Sequence, residues 1–372
     1  KQPLLIRNAL PGFTSPISPD ELAGLACEDT IESRLVIEKD GVTPWEVRHG
    51  PFTETDFGSL PESHWTLLVQ DVEKHAQELH ELIQPFRFIP DWRIDDLMIS
   101  YATNHGSVGP HKDNYDVFLL QGLGKRRWQI STQPVSEDNM TDNLDLCIMK
   151  EFQAEQEWIL EPGDLLYLPP NVAHYGTAVG ECMTYSIGFR APQSYELLHG
   201  FLEHKLEKAL ENGAASQTYR DPDLIMQDDP AHISTGNIEK LRTTIQDLLP
   251  KSPDEIDHWI GKYLSKSKEH LAIQIENPHL DRATFITLWQ DNNILMRNTA
   301  VRILYTEEND QCIIYAYGFE YPVPAKYREG ISALCRKREI SFDSMRKWLD
   351  DEFFADILCQ FYNLGYLYFD PI

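Results

Sequence analysis

The sequence predicts a mixed fold: a barrel or double-sheet roll of short β-strands, then a helical stretch, then a compact α+β module. Three observations predict it. Apolar and aromatic residues between Arg93 and Arg190 fall in short runs broken by Gly and Pro, the pattern of an all-β barrel or roll. After Pro192 the apolar positions switch to helical spacing,. Beyond residue 277, helical and strand-like runs alternate, as in a layered α+β unit. At 372 residues the chain exceeds what one core usually supports, and the changes of pattern divide it into 1–192, 193–277 and 278–372.

Ahead of the barrel block, ISPDELAGLACE and ESHWTLLVQDVEKHAQELHELI read as helices. In the second, Trp65, Leu68, Val69, Val72, Leu79, Leu82 and Ile83 recur at roughly helical spacing, which predicts a helix packed on the barrel exterior,. The barrel strands are expected within IDDLMISYAT, YDVFLLQGLG, RRWQIS, EWILEPGDLLYLPP and MTYSIGFRAP. The middle region offers SYELLHGFLEHKLEKALENG, opening near Ser194 and stopping at Gly213, then the polar connector QTYRDPDLIMQDDPAH, then NIEKLRTTIQDLL and DEIDHWIGKYLSK,. These helices are long enough to present an apolar face to a second copy, so a homodimer is expected, although packing within one chain fits the pattern equally. In the last module a helix around ATFITLWQ, strands in ILMRNTAVRILYT and QCIIYAYGFEY, and helices in PAKYREGISALCRKRE and FDSMRKWLDDEFFADILCQFYNLG predict a winged-helix-like arrangement,.

Hydrophobic residues at 42% and aromatics at 11% are globular composition,, and no apolar stretch reaches the 18 or so residues that a membrane span requires. Six cysteines without a Cys-x-x-Cys pair argue against a zinc site and a disulfide framework, and so for a cytoplasmic protein. The opening KQPLLIRNAL has no apolar run with a small-residue cleavage site, so export is not expected. A formal net charge of −26 repels nucleic acid and favours a basic partner, although simple solubility accounts for it equally.

The segment GPHKDNYDVFLL places His111 and Asp113 one residue apart on an expected strand, where alternation turns both to one side and Lys112 to the other,. Two imidazoles and a carboxylate on one face of an iron leave three positions open, the facial triad of oxygenases. With 13 His and 59 acidic residues, about two His-x-Asp/Glu matches arise by chance, so the motif alone is weak. The other match, His279 to Asp281, has no later histidine to complete it. The first has His174 downstream in EPGDLLYLPPNVAHYG, where Gly163-Asp164 makes a turn, 165–168 a buried strand, and Pro169-Pro170 ends it so that His174 starts the next strand at the barrel mouth,.

The runs DWRIDDLMIS, GPHKDNYDVFLLQGLGKRRWQI, LEPGDLLYLPPNVAHYG and YSIGFRAP resemble the bacterial ribosomal oxygenases of the Jumonji C superfamily, whose near relatives are arginine hydroxylases acting on large-subunit ribosomal protein sixteen. Motif likeness covers about 1–210, and domain order extends it to the end. The resemblance implies a double-stranded β-helix (cupin) barrel, a helical dimerisation region and a C-terminal winged-helix-like domain. It implies Fe(II) at His111, Asp113 and His174, 2-oxoglutarate as cosubstrate, and a basic ribosomal protein as substrate. The cation for the far carboxylate of 2-oxoglutarate falls on Arg126, fifteen residues after His111, with Lys125 and Arg127 facing outward. A hydroxyl on the strand after His174 falls on Ser186, or on Thr184 of the same face. No residue of the strand around 97–100 is carried over.

For a cationic target side chain, Asn104, Tyr115, Asp116 and Tyr175 are the expected contacts, with Tyr115 and Asp116 unable to share a face unless the strand is bulged. Three rivals stand beside this reading. They are a cupin-type isomerase or non-catalytic binding protein, the same chemistry on a histidine or an N-methyl-lysine, and a DNA-binding protein built on the last module, which the net charge disfavours,.

Overall fold

The computed structural model describes the chain apart from residues 40–44, 142–147, 214–217, 221, 223–224, 227, 230, 251, 269, 272, 274–277 and 370–372. Cys147, part of the connector before the second middle helix, and the boundary expected at 277 lie outside the described residues. An antiparallel barrel sheet runs in the order Leu4–Ile6, Leu165–Leu168, Asp116–Ser131, Ala173–Phe189, Ile94–Ala102, Trp65–Val69, Ser33–Glu38, Trp45–His49. Asp116–Ser131 and Ala173–Phe189 are long enough to serve both halves of the roll. The first pairs Gln156–Leu160 through residues 126–130 and Leu165–Leu168 through 117–120. Register shifts at Val179/Met183 and Met183/Thr184 bend the pair between the halves,.

Alternation sorts their side chains. Leu120, Tyr185 and Ile187 join the N-terminal helix residues Leu22 and Leu79 in one core, while Val117, Leu119, Trp128 and Ile130 join Leu166 and Leu168 in another. Helix Pro19–Leu25 forms as expected, with Ser18 and Glu21 making a reciprocal capping box,. The second expected helix does not form over most of its length. Residues 65–69 are a strand between Ser33–Glu38 and Ile94–Ala102, followed by a 3₁₀ turn at Val72–Lys74 and a short helix at Gln77–Glu81. The run WTLLV satisfies a buried strand as well as a helix, and pairing on both edges decides for the strand.

The three middle helices are Ser194–Glu211, Thr235–Leu248 and Pro253–Ser265. The last packs closely on the terminal module, for a Cβ on Gly261 would meet the Tyr315 ring at 2.3 Å. In that module the two expected strands are four: Ile294–Arg297, Ile303–Glu308, Gln311–Ala316 and Phe319–Pro324. Tyr317 and Gly318 both take positive φ and turn the last two into a hairpin,. The expected final helix is likewise two, Phe342–Leu349 and Glu352–Asn363, with Asp351 capping the second,.

Barrel and terminal half are joined by a buried ion network. Asp71 receives Lys268 at 3.1 Å and His270 at 3.0 Å from beyond the last middle helix, as well as Lys74. Glu73 beside it is buried, and desolvation, reinforced by Asp96 and Asp71 against the pull of Lys74, raises its carboxyl from 4.5 to about 7,. A raised acid pKa means stability that is whole below 4.5 and is lost as pH climbs through about 7,. Glu73→Gln should therefore flatten that decline, gaining on the wild type at pH 8 but not at pH 4.5, as urea midpoints at the two pH values would read.

Candidate metal and cosubstrate site

The short strand His111–Lys112 pairs with the start of Ala173–Phe189 so that His111 lies directly opposite His174, and the two rings approach to 4.2 Å between centroids. Each ring is oriented by its own strand. Nδ1 of His111 lies 2.9 Å from the Gly109 carbonyl and Nδ1 of His174 lies 3.0 Å from the Val172 carbonyl. Donation from Nδ1 fixes the tautomer and leaves both Nε2 lone pairs free for a metal. Trp128 packs on the His174 ring at 5.8 Å, and burial, with His111 nearby, lowers that imidazole from 6.5 to about 4, so it is neutral at physiological pH.

Asp113 follows the strand's end. Its carbonyl accepts from Asn171 N–H at 2.7 Å, which ties its loop to the turn that launches His174, and its Oδ2 lies 3.6 Å from His174 Nε2. The three ligand atoms lie within 4.8 Å of one another, a spacing one ion can bridge. Lys112, expected on the opposite side, also lines the cavity, because regular alternation ends with this two-residue strand.

The cluster opens into a cavity of about 580 Å³ whose wall includes Arg126, Thr184, Ser186 and Tyr115. Arg126 is 2% exposed. Its Nη1 donates to Ser100 Oγ and its Nη2 to the Gly176 carbonyl, each at 3.3 Å, while its Nε has no acceptor. The guanidinium lies over the Trp128 ring at 5.1 Å, in space that exists because residue 176 is glycine: a Cβ there would meet Arg126 Nε at 2.7 Å. A buried guanidinium with two long neutral contacts and no carboxylate is underpaired. A dicarboxylate whose other end reaches the metal cluster fits this site. Lys125 and Arg127 face outward onto Glu161 and Glu157, as expected.

Thr184 and Ser186 share the cavity face, opposite Ser100 and Met98 across the sheet; Thr184 Oγ1 donates to Gln121. The expected substrate contacts divide. Tyr115 lines the cavity, and burial raises its phenol. Asp116 turns the other way, held by Lys1 at 2.7 Å, Arg93 at 3.1 Å and the Tyr167 hydroxyl at 2.6 Å. Asn104 is exposed and accepts from Gly180 N–H, clamping a hairpin outside the cavity. Tyr175 packs on Phe152 rather than in the cavity wall.

Sequence reasoning missed Asp96, Met98 and Ser100, which alternate onto the cavity face of Ile94–Ala102,. Asp96 sits near Gly188 and 3.7 Å from Lys268, and burial raises its carboxyl to about 6. The period-2 pattern of DDLMIS could have found all three once one was assigned.

Comparison with known proteins agrees with this geometry. The family profile of the JmjC domain matches residues 81–197, and that of the ROXA-like winged helix matches 241–368. The ribosomal protein uL16 3-hydroxylase of Escherichia coli K12 is 36% identical over all of this chain and 95% of its own length. A solved structure of the E. coli protein YcfD superposes with a TM-score of 0.83 at 36% identity. Another, described as a ribosomal oxygenase in complex with cobalt and 2-oxoglutarate, gives 0.81 at 35% identity, and both cover 100% of this chain and 95% of theirs.

Proposed function

Since this chain belongs to the bacterial ribosomal oxygenases of the JmjC family and is a 2-oxoglutarate-dependent protein hydroxylase, we propose that it hydroxylates an arginine side chain of ribosomal protein uL16, with Fe(II) on His111, Asp113 and His174. The observation that carries the reading is a single cavity holding a three-ligand cluster and an underpaired buried guanidinium. Bound Fe(II) and 2-oxoglutarate supply oxidative decarboxylation of the cosubstrate to succinate and CO₂, coupled to insertion of one dioxygen atom into a target C–H bond. The protein's part is placement. Arg126, with Ser100 and the Thr184 and Ser186 hydroxyls around it, holds the far carboxylate; Trp128 and Met98 keep water out; Asp96 offers the entering side chain a half-buried carboxylate.

Asp96 favours a cation over a neutral imidazole, and its two oxygens match a guanidinium fork better than an ammonium point charge. The test is anaerobic reconstitution with Fe(II) and 2-oxoglutarate, then air and a panel of uL16 peptides, reading a mass gain of one oxygen together with succinate. A gain on an arginine that vanishes in His111→Ala and falls about tenfold in kcat/KM in Asp96→Asn, the loss of one charged hydrogen bond, is the expected result. Modification of histidine or lysine alone would overturn the target, and no succinate with any peptide would overturn the chemistry.

The acidic chain suits a basic ribosomal substrate,, and the free state of Cys27, Cys182, Cys312, Cys335 and Cys359 suits the cytoplasm,. The chain acts as a homodimer in this reading. Helix Ser194–Glu211 exposes Leu198 (61%), Leu202 (39%), Leu206 (52%) and Leu210 (66%), a four-residue repeat along one face,. Leu202→Glu with Leu206→Glu should halve the mass by sedimentation equilibrium without changing the far-UV circular dichroism.

A further inference from the structure

Barrel and winged-helix domain enclose a second cavity, of about 360 Å³, which shares Asp95, Arg190 and Lys268 with the catalytic one as wall. Its lining is rich in cations, among them Arg87, Arg297, Arg302 and Lys266. The carboxylates of the lining each already face a cation other than Arg297 and Arg302. Asp91 gives both oxygens to Arg87, Asp95 lies 3.5 Å from Lys268, and Glu73 lies 3.6 Å from Lys74.

Arg302 donates to the carbonyls of Leu264 and Ile94, with Asp95, Asp71, Asp91 and Glu73 acting on it from beyond hydrogen-bond reach, and Arg297 spends one N–H on the Cys335 carbonyl. Next to Arg297, whose amide donates to the Arg338 carbonyl at 2.8 Å, Arg338 has two buried N–H groups, on Nε and Nη1, with no acceptor. Burial first, then the fields of Arg297, Arg338 and Arg87 against that of Asp91, press the His80 imidazole down to about 4, so it is neutral beside these guanidinium groups. A guanidinium does not escape by deprotonation. Arg297 and Arg302 line the cavity, where cations outnumber carboxylates, and among the described residues neither has a carboxylate within hydrogen-bond reach, so in a chain of net charge −26 an anion is the partner that would complete them.

We propose that this interdomain cavity binds a small phosphate-bearing anion, a phosphate or phosphate monoester, held by Arg297 and Arg302 with Arg338 beside them. Forked donors converging on one cavity suit a tetrahedral dianion better than a planar monocarboxylate. The overall charge favours a small free anion over a polyanion such as RNA, which it repels along its length. Bound there, the anion neutralises the seam between barrel and winged-helix domain.

The experiment is calorimetric titration of the full chain with inorganic phosphate at constant ionic strength, chloride serving as control and a short RNA oligonucleotide as a second ligand. Saturable phosphate binding that chloride does not reproduce is expected. It should weaken at least about tenfold in Arg297→Gln and in Arg302→Gln, as for loss of one charge-assisted contact, and persist in Arg126→Met, whose lesion lies in the proposed cosubstrate pocket. Circular dichroism identifies any variant that fails to fold, and either of the two interdomain variants then decides alone. No saturable binding, equal binding in both variants, loss in Arg126→Met, or binding of RNA but not of phosphate would each overturn the proposal.

Discussion

Asp113→Ala should lose iron and hydroxylation together while keeping its fold. With two imidazoles left, the face they share no longer closes around an ion, and nothing nearby substitutes: among the described residues the cluster within ligand distance contains only His111, Asp113 and His174. Losses of outer-sphere partners cost about 10–100-fold in such sites, so removal of a ligand should cost at least about 10³-fold in kcat. The fold should tolerate it. Asp113 lies in a loop, and the tie to the turn before His174 is its backbone carbonyl, which accepts from Asn171 and which alanine retains, while the carboxylate's contact with Tyr115 is lost. Iron content after anaerobic loading, succinate release and the thermal midpoint of the metal-free protein together check this. Retention of activity within tenfold would exclude Asp113 as a ligand.

Arg126→Met should pull activity and stability in opposite directions. In the proposed site the guanidinium is the cationic end for the cosubstrate, so KM for 2-oxoglutarate should rise roughly 10²-fold, the scale for losing one side of a buried charge pair. In the absence of cosubstrate, however, the same group is buried without a carboxylate and has one N–H unsatisfied. Methionine is of similar reach and carries no charge, so the metal-free and cosubstrate-free variant should be more stable than the wild type, by about 1–4 kcal/mol by analogy with buried pairs replaced by apolar residues. Adding 2-oxoglutarate with a divalent metal should raise the melting temperature of the wild type far more than that of the variant. A variant less stable than the wild type under both conditions would mean that Arg126 is a structural group and not an anion receptor.

Much of this site was legible in the sequence because it is local. His111 and Asp113 are two residues apart, His174 follows a Gly-Asp turn and a Pro-Pro stop, and Arg126 sits between two residues that had to face solvent once it faced in. The rest depends on pairings between distant segments. WTLLV looks helical until Ser33–Glu38 and Ile94–Ala102 flank it. The orientation of Asp116 is settled by Lys1, more than a hundred residues away. Asn104 resembles a polar site residue, yet it serves a hairpin whose other member is Gly180. Asp96 stayed hidden beside its neighbour Asp95, since two successive carboxylates do not reveal which one shares the face of Met98 and Ser100 until the strand's register is fixed.

The Lys268 ammonium has a consequence for what counts as the enzyme. It comes from beyond the middle helices, yet it satisfies the buried Asp71 of the barrel and lines the catalytic cavity within 3.7 Å of Asp96. Arg302 of the terminal module donates to the Ile94 carbonyl at the start of the cavity-lining strand, and Thr299 donates to the Lys74 carbonyl. A barrel cut away from its C-terminal half would keep its three candidate metal ligands and still be crippled, with Asp71 stripped of the cations that Lys268 and His270 bring and the cavity missing a wall. On these contacts catalytic competence and folding cooperativity would belong to the whole chain, and melting of the terminal module would itself switch off the barrel.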